Sequence, residues 1–290
     1  RRPDGLPPVL GMDPSRPALP ACPILEQAAC LPHFLSKLTM FQLLSSLFLV
    51  ALATGSHPPF SNPSSRVVNG VPVQPHNKFP WQVALLYEQS DGLYFICGGI
   101  LIDPCWVLTA AHCFPYEGTY YALGAYNLGP KQVIPGQSNI VMYNTYVNGN
   151  DIALLELSQC AELTDDVYPA CLPPAGYTTP HGTECYVSGW GYTSTSGPIS
   201  YVLLEGLVCV LDHEHCSQPD YWSSAVKNAL CAGGSVCCSG DSGGPLNCPG
   251  VSTEWQVDGI VSFGSGLGCN YPKKPTVFTR VSCFIDWIKE

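Results

Sequence analysis

Gly240-Asp241-Ser242-Gly243-Gly244-Pro245 sets one nucleophile among three glycines and closes the turn with a proline. A serine attacks an amide only if a base takes its proton, a further group orients that base, and donors stabilise the oxyanion that forms. Glycines suit such a turn because they let successive backbone N–H groups point at one spot. The base and its orienting acid must come from elsewhere in the chain.

Both lie upstream. Leu108-Thr-Ala-Ala-His112-Cys113 ends an apolar strand on a histidine beside a cysteine, and Asn150-Asp151-Ile-Ala-Leu-Leu155 places a carboxylate at the mouth of another. A carboxylate buried beside an imidazole fixes the ring's tautomer. Taken singly, the three motifs also read as a packed histidine, a strand-capping aspartate and a glycine-rich hairpin. In the order His, Asp, Ser they are specific for nucleophilic catalysis.

Composition is consistent with a folded, extracellular chain. The 290 residues are 46% hydrophobic and 12% charged, enough for a core in one large domain or two ordinary ones, and this excludes a disordered chain. The net charge of −10, with no run of Lys and Arg, argues against nucleic-acid binding. Sixteen cysteines at irregular spacing suit disulfides in a secreted protein better than zinc ligation. His213-x-His215 near Cys216 is the only metal-like cluster. With no second ligand pair beside it, it reads as polar residues leading into a turn or short helix, and no metal or cofactor is expected.

Met40 to Gly55 is a short apolar run ending in small residues, as in a secretory signal peptide cleaved after Ala53 or Gly55. It is too short to favour a membrane-spanning helix. Residues 1–39 are Pro-rich and lack periodicity, so they read as a non-native or disordered extension, with translation expected to start at Met40. Residues 56–66 are polar and Pro-rich, a linker or propeptide. From Val67 on, short β-branched and aromatic runs alternate with Gly/Pro turns: Trp81–Tyr87, Trp106–Thr109, Ile152–Leu157, Cys185–Ser188, Gln256–Phe263 and Thr276–Val281. This spacing predicts an all-β protein of barrels or sandwiches. Cys283 to Glu290 predicts an amphipathic helix with Phe284, Ile285, Trp287 and Ile288 on its apolar side.

Over 67–290 the chain resembles the chymotrypsin family of serine proteases, on the His112, Asp151 and Ser242 motifs and their order. The resemblance implies two six-stranded antiparallel Greek-key barrels, the first over about 67–172 and the second over about 173–282, followed by the helix at 283–290. It implies that His112 is the base, that Asp151 orients it, and that Ser242 is the nucleophile. The N–H groups of Gly240 and Ser242 would form the oxyanion hole, and the Ser262 hydroxyl would support Asp151. Arg66-Val67-Val68-Asn69-Gly70 resembles the activation site, where cleavage after Arg66 frees the Val67 amino group to pair with Asp241. Four disulfides are implied: Cys97 with Cys113, Cys185 with Cys248, Cys216 with Cys231, and Cys238 with Cys269. Cys105, Cys160, Cys171, Cys209, Cys237 and Cys283 are left without an assigned partner. No cysteine lies between Ser56 and Arg66, so the propeptide is expected to leave after cleavage.

The implied substrate pocket is built from Val236, Cys237, Ser262, Phe263, Gly264 and Thr276. Gly234-Ser-Val-Cys-Cys238 carries no acid at its base, so Lys and Arg substrates are not expected. Leu172-Pro-Pro-Ala-Gly176, Glu214-His-Cys-Ser217, Pro245-Leu-Asn-Cys-Pro249 and Lys274 to Ser282 resemble pancreatic elastase of the proteinase E, or elastase III, type. That implies cleavage after alanine and other small or medium apolar residues in dietary protein, by a secreted monomer with no membrane partner, activated by a trypsin-like protease. The chain departs from the pattern in a pocket segment about two residues short before Ser242, in Gly264 where elastases carry a bulkier residue, and in a short Tyr143 to Gly149 segment. Ala125 and Asn127 offer no carboxylate to calcium. The competing reading is a protease homologue that binds a partner without cleaving it, favoured by the unassigned cysteines and opposed by the intact triad.

Overall fold

The computed structural model describes residues 70–115, 120–124, 128, 133–142, 150–192, 198–234, 240–250, 255–267 and 271–290, with the backbone alone at 121, 123 and 133–142. The signal and propeptide segments, Arg66, Val67, Ala125, Asn127, 143–149, Val236, Cys237, Cys238 and Cys269 lie outside these residues.

Among the described residues, thirteen strands carry the fold. β2 (Gln82–Gln89), β3 (Gly92–Asp103), β4 (Trp106–Thr109), β5 (Tyr120–Gly124), β6 (Val133–Met142) and β7 (Ala153–Leu157) close a barrel in the order β2-β3-β4-β7-β6-β5. The second sheet holds β1 (Val71–Pro72), β8 (Glu184–Gly189), β9 (Leu204–Leu211), β10 (Ala229–Gly233), β11 (Pro245–Pro249), β12 (Trp255–Phe263) and β13 (Thr276–Arg280). Its order is β1-β9-β10-β13-β12-β11-β8, and a β8–β9 pairing makes a ring of β8 to β13. All named strand pairs are antiparallel.

Two boundaries differ from the sequence expectation. Val71–Pro72, expected in the first barrel, pairs with Glu205 and Leu204 of β9 and so adds a seventh strand to the second sheet. At the C-terminus, the helix expected over 283–290 spans Ile285–Lys289, preceded by a 3-10 turn at Val281–Cys283. Phe284, Ile285 and Ile288 are buried and join the same apolar cluster as Leu85, Ile100, Leu108 and Leu155, so the last helix packs on the first barrel's core. The second core gathers Val187, Val208, Leu230, Leu246, Val261 and Phe278. Phe278 is fully buried, and truncating such a side chain costs about 3–5 kcal/mol.

Buried polar groups join β2 and the residue before it to the second sheet. Trp81 Nε1 donates to Asn247 Oδ1 at 2.8 Å, Asn247 Nδ2 donates to Ser188 Oγ at 3.0 Å, and Ser188 Oγ donates to Gln82 Oε1 at 2.6 Å. These bonds hold neighbouring elements in one arrangement, although Gln82 Nε2 finds no acceptor among the described residues. Among the described residues no helix is long and apolar enough to cross a membrane.

Candidate active site

β4 runs in apolar residues to Thr109, then the chain tightens into a 3-10 turn, Ala111–Cys113, that carries His112. The Cys97–Cys113 disulfide clamps this turn to β3. Before β7, the Ile152 N–H donates to the Asn150 carbonyl at 3.0 Å, a tight bend with Asp151 at its centre. Asp151 Oδ1 accepts the His112 backbone N–H at 3.0 Å and Oδ2 lies 2.7 Å from His112 Nδ1. The carboxylate thus holds both the turn and the ring.

The second sheet completes this arrangement. Ser262 Oγ, on β12, donates to Asp151 Oδ2 at 2.6 Å, and Thr279 Oγ1, on β13, donates to the Asp151 carbonyl at 2.9 Å. Asp151 is buried, and burial alone would push its carboxyl up. The hydrogen bond and charge of His112, with the Ser262 hydroxyl and the His112 N–H, outweigh it and hold the group below its ordinary value. Asp151 therefore stays ionised, and an imidazole held at Nδ1 keeps Nε2 free to take a proton.

The serine turn is locked against the histidine turn. The Gly98 N–H donates to the Ser242 carbonyl at 2.7 Å, which places the serine beside the strand that carries Cys97. Gly243 has φ +77°, and a Cβ there would lie 2.2 Å from Thr109 Oγ1, 2.6 Å from the Gly98 carbonyl and 3.1 Å from Cys113 Sγ. Only glycine permits this approach of the two turns. No hydrogen bond between His112 and Ser242 occurs among the described residues. Gly243 N–H donates to Val261 and Gly244 N–H to Asp241, whereas those of Gly240 and Ser242 have no protein acceptor among the described residues. Two uncommitted donors flanking Asp241 can receive an anion.

Asp241 itself is buried, with 1% of its surface exposed. Its Oδ1 accepts the Gly191 N–H at 2.7 Å, and its Oδ2 has no partner among the described residues. Burial pushes the carboxyl up to about 7, with the Gly191 bond opposing. Gly189 is needed beside it, since a Cβ there would meet Asp241 Oδ1 at 2.0 Å. Gly189, Gly191 and Thr279 were missed in the sequence reading; the Gly-Trp-Gly run at 189–191 is the signal that marks the first two.

Four of the residues read as a substrate pocket are described. Ser262 and Phe263 end β12, Gly264 follows it, and Thr276 opens β13. The Phe263 ring meets Trp222 edge-on at 5.2 Å, and Trp222 Nε1 donates to the Pro275 carbonyl at 2.9 Å. Gly264 is exposed, with no atom of the described residues within 4 Å of where its Cβ would stand.

Disulfides Cys97–Cys113, Cys185–Cys248 and Cys216–Cys231 occur among the described residues. Two cysteines that the resemblance left unassigned, Cys105 and Cys160, also pair, closing the loop between β4 and the end of β7. Cys171 is disulfide-bonded, while Cys209 and Cys283 are free and exposed. His112, Cys97 and Cys113 present ligand atoms within 4.8 Å of one another, but the two sulfurs are bonded to each other and offer no thiolate to a metal.

The family model described as Trypsin matches residues 67–288. Human chymotrypsin-like elastase family member 3B is 52% identical over 265 residues, covering 87% of this chain and 98% of the relative. Bovine proproteinase E is 50% identical over 246 residues, covering 80% and 97%. Bovine chymotrypsin-C is 47% identical over 241 residues, covering 79% and 90%.

Proposed function

Since the chain belongs to the trypsin family and is a serine endopeptidase, we propose that it is a secreted zymogen that hydrolyses proteins after alanine and other small or medium apolar residues. The observation that carries the zymogen reading is Asp241, a buried carboxylate with one oxygen unpaired among the described residues. A buried charge needs a partner, and the amino group freed by cleavage between Arg66 and Val67 supplies a cation of the required sign. The name of bovine proproteinase E denotes a proenzyme and supports the same reading. Its sixteen cysteines and the apolar run at 40–55 support secretion.

In the proposed reaction Ser242 Oγ attacks the substrate carbonyl while His112 Nε2 takes its proton. Asp151 keeps Nδ1 in place and stabilises the imidazolium. The developing oxyanion is received by the N–H groups of Gly240 and Ser242, each such donor lowering the barrier by about 3–4 kcal/mol. The imidazolium then protonates the leaving amine, and water repeats the attack to release the acid. The hydrogen-bonded His112–Asp151 pair counts against a homologue that binds without cleaving.

The elastase-like specificity rests on the names of the relatives and on a pocket set without an acidic residue. Acting as a monomer, the cleaved enzyme is expected to favour peptides with Ala or Leu before the scissile bond over those with Arg. The test is to treat the purified chain with trypsin, remove the trypsin, and compare peptides ending in Ala, Leu, Phe and Arg. Efficient cleavage after Arg contradicts the pocket assignment.

A further inference from the structure

We propose that His181, Asp212 and His215 form a surface site for one zinc-type divalent transition ion, built from residues outside the proposed catalytic set. In the sequence, His213-x-His215 lacks a second ligand group nearby. The fold supplies one. The turn Pro180–Thr183 carries His181 and is pinned to the end of β9 by Gly182 N–H to the Val210 carbonyl at 2.8 Å and Val210 N–H to the Thr183 carbonyl at 3.0 Å. Asp212 follows β9 and caps a one-turn helix, His213–Cys216, whose last residue is tied to β10 by the Cys216–Cys231 disulfide. His215 projects from that turn, and His213 takes no part in the cluster.

The three side chains present ligand atoms within 4.8 Å of one another. His215 Nδ1 lies 2.7 Å from Asp212 Oδ1, and His181 Nδ1 lies 3.4 Å from Asp212 Oδ2. The two rings are stacked, with centroids 4.9 Å apart and planes inclined by 25°. The Asp212 N–H donates to His181 Nδ1 at 3.2 Å, so this nitrogen carries no hydrogen, and the ion takes the lone pair that the backbone N–H now holds. At metal–ligand distances of about 2.0–2.2 Å, three ligands stand roughly 3.5 Å apart, so closure needs shifts on the order of 1 Å. The side chains are 48%, 38% and 49% exposed for His181, Asp212 and His215 and can make that adjustment.

At His215 the ion replaces the hydrogen bond between Nδ1 and the carboxylate, and a proton held on Nδ1 passes to Nε2 or to solvent, so that the bound ring carries its hydrogen on Nε2. Two imidazoles and one carboxylate select zinc, nickel or copper over calcium or magnesium. Water completes the shell on the open side. Binding would staple the Pro180–Thr183 turn to the entrance of the helix.

Isothermal titration of the chelator-washed full chain with zinc tests this. One zinc is expected per chain at this site, with a rise in the thermal unfolding midpoint. Loss of a group merely behind a ligand weakens a metal site about 10–100-fold, so His181→Ala and His215→Ala should each weaken binding at least about tenfold. Asp212→Asn, which keeps the helix cap, should also weaken it, and His213→Ala should not. Unaltered circular dichroism of each variant shows that the fold is kept. Undiminished zinc binding in both histidine variants, or no uptake at millimolar zinc, overturns the site.

Discussion

Gly191 donates its backbone N–H to Asp241 Oδ1 at 2.7 Å, and no donor among the described residues reaches the other oxygen. Asp241 in this state titrates near 7, against an ordinary value of 3.8. A carboxyl whose folded pKa lies above its unfolded one binds more protons when folded, so its ionisation costs stability as pH rises between the two. The uncleaved chain should lose stability from about pH 4 to about pH 7 relative to its Asp241→Asn variant, by on the order of a few kcal/mol. Urea midpoints of both chains at several pH values measure the difference. Parallel pH profiles would contradict it.

Ser262 donates to the oxygen of Asp151 that also faces His112 Nδ1. A hydrogen bond to a charged group contributes about 1.5–3 kcal/mol, so Ser262→Ala should lower kcat/KM of the cleaved enzyme by about tenfold to a hundredfold. The depressed Asp151 pKa means that its stabilising contribution is present above the ordinary carboxyl value and lost as pH falls through the folded one. Removing the hydroxyl raises that folded value. Acid unfolding, followed by tryptophan fluorescence, should therefore begin at a higher pH in the variant.

Gly243→Ala should fold poorly and show no measurable turnover. Its φ of +77° disfavours any side chain, and the added methyl would overlap Thr109 Oγ1 and the Gly98 carbonyl. Overpacking costs about 1–3 kcal/mol before the left-handed backbone is counted. Thermal unfolding of the variant, if unchanged, would show that the two turns are not in contact.

Gly264→Val should behave in the opposite way, since no atom of the described residues lies within 4 Å of the new Cβ. Stability should change by less than about 0.5 kcal/mol, as for an open surface position. In the proposed pocket the added side chain narrows the entrance, so kcat/KM for Phe and Leu peptides should fall relative to Ala peptides. An unchanged ratio would remove Gly264 from the pocket.

The parts legible in the sequence are those whose chemistry is local. The His112 and Ser242 turns are written in short motifs, and β4 and β12 in runs of β-branched residues that end within one residue of the observed strands. Contacts between distant segments were not legible. Cys105 and Cys160 are 55 residues apart, and only the β4–β7 pairing brings them together. The transfer of Val71–Pro72 to the second sheet depends on an unpaired edge at Leu204 and Glu205 that no local pattern marks. His181 reaches Asp212 because β8 and β9 are adjacent, while His213-x-His215 showed in the sequence only one of the cluster's three ligands, His215.

Labelling by a fluorophosphonate most directly tests the central claim, that the triad depends on cleavage at Arg66. The purified chain should give almost no Ser242 adduct before trypsin treatment and a stoichiometric one after it, with Val67 as the new N-terminus by sequencing. The cleaved Asp241→Asn chain, unable to hold the new amino group by charge, should label far more slowly. Equal labelling before and after cleavage, or none after it, would contradict the account.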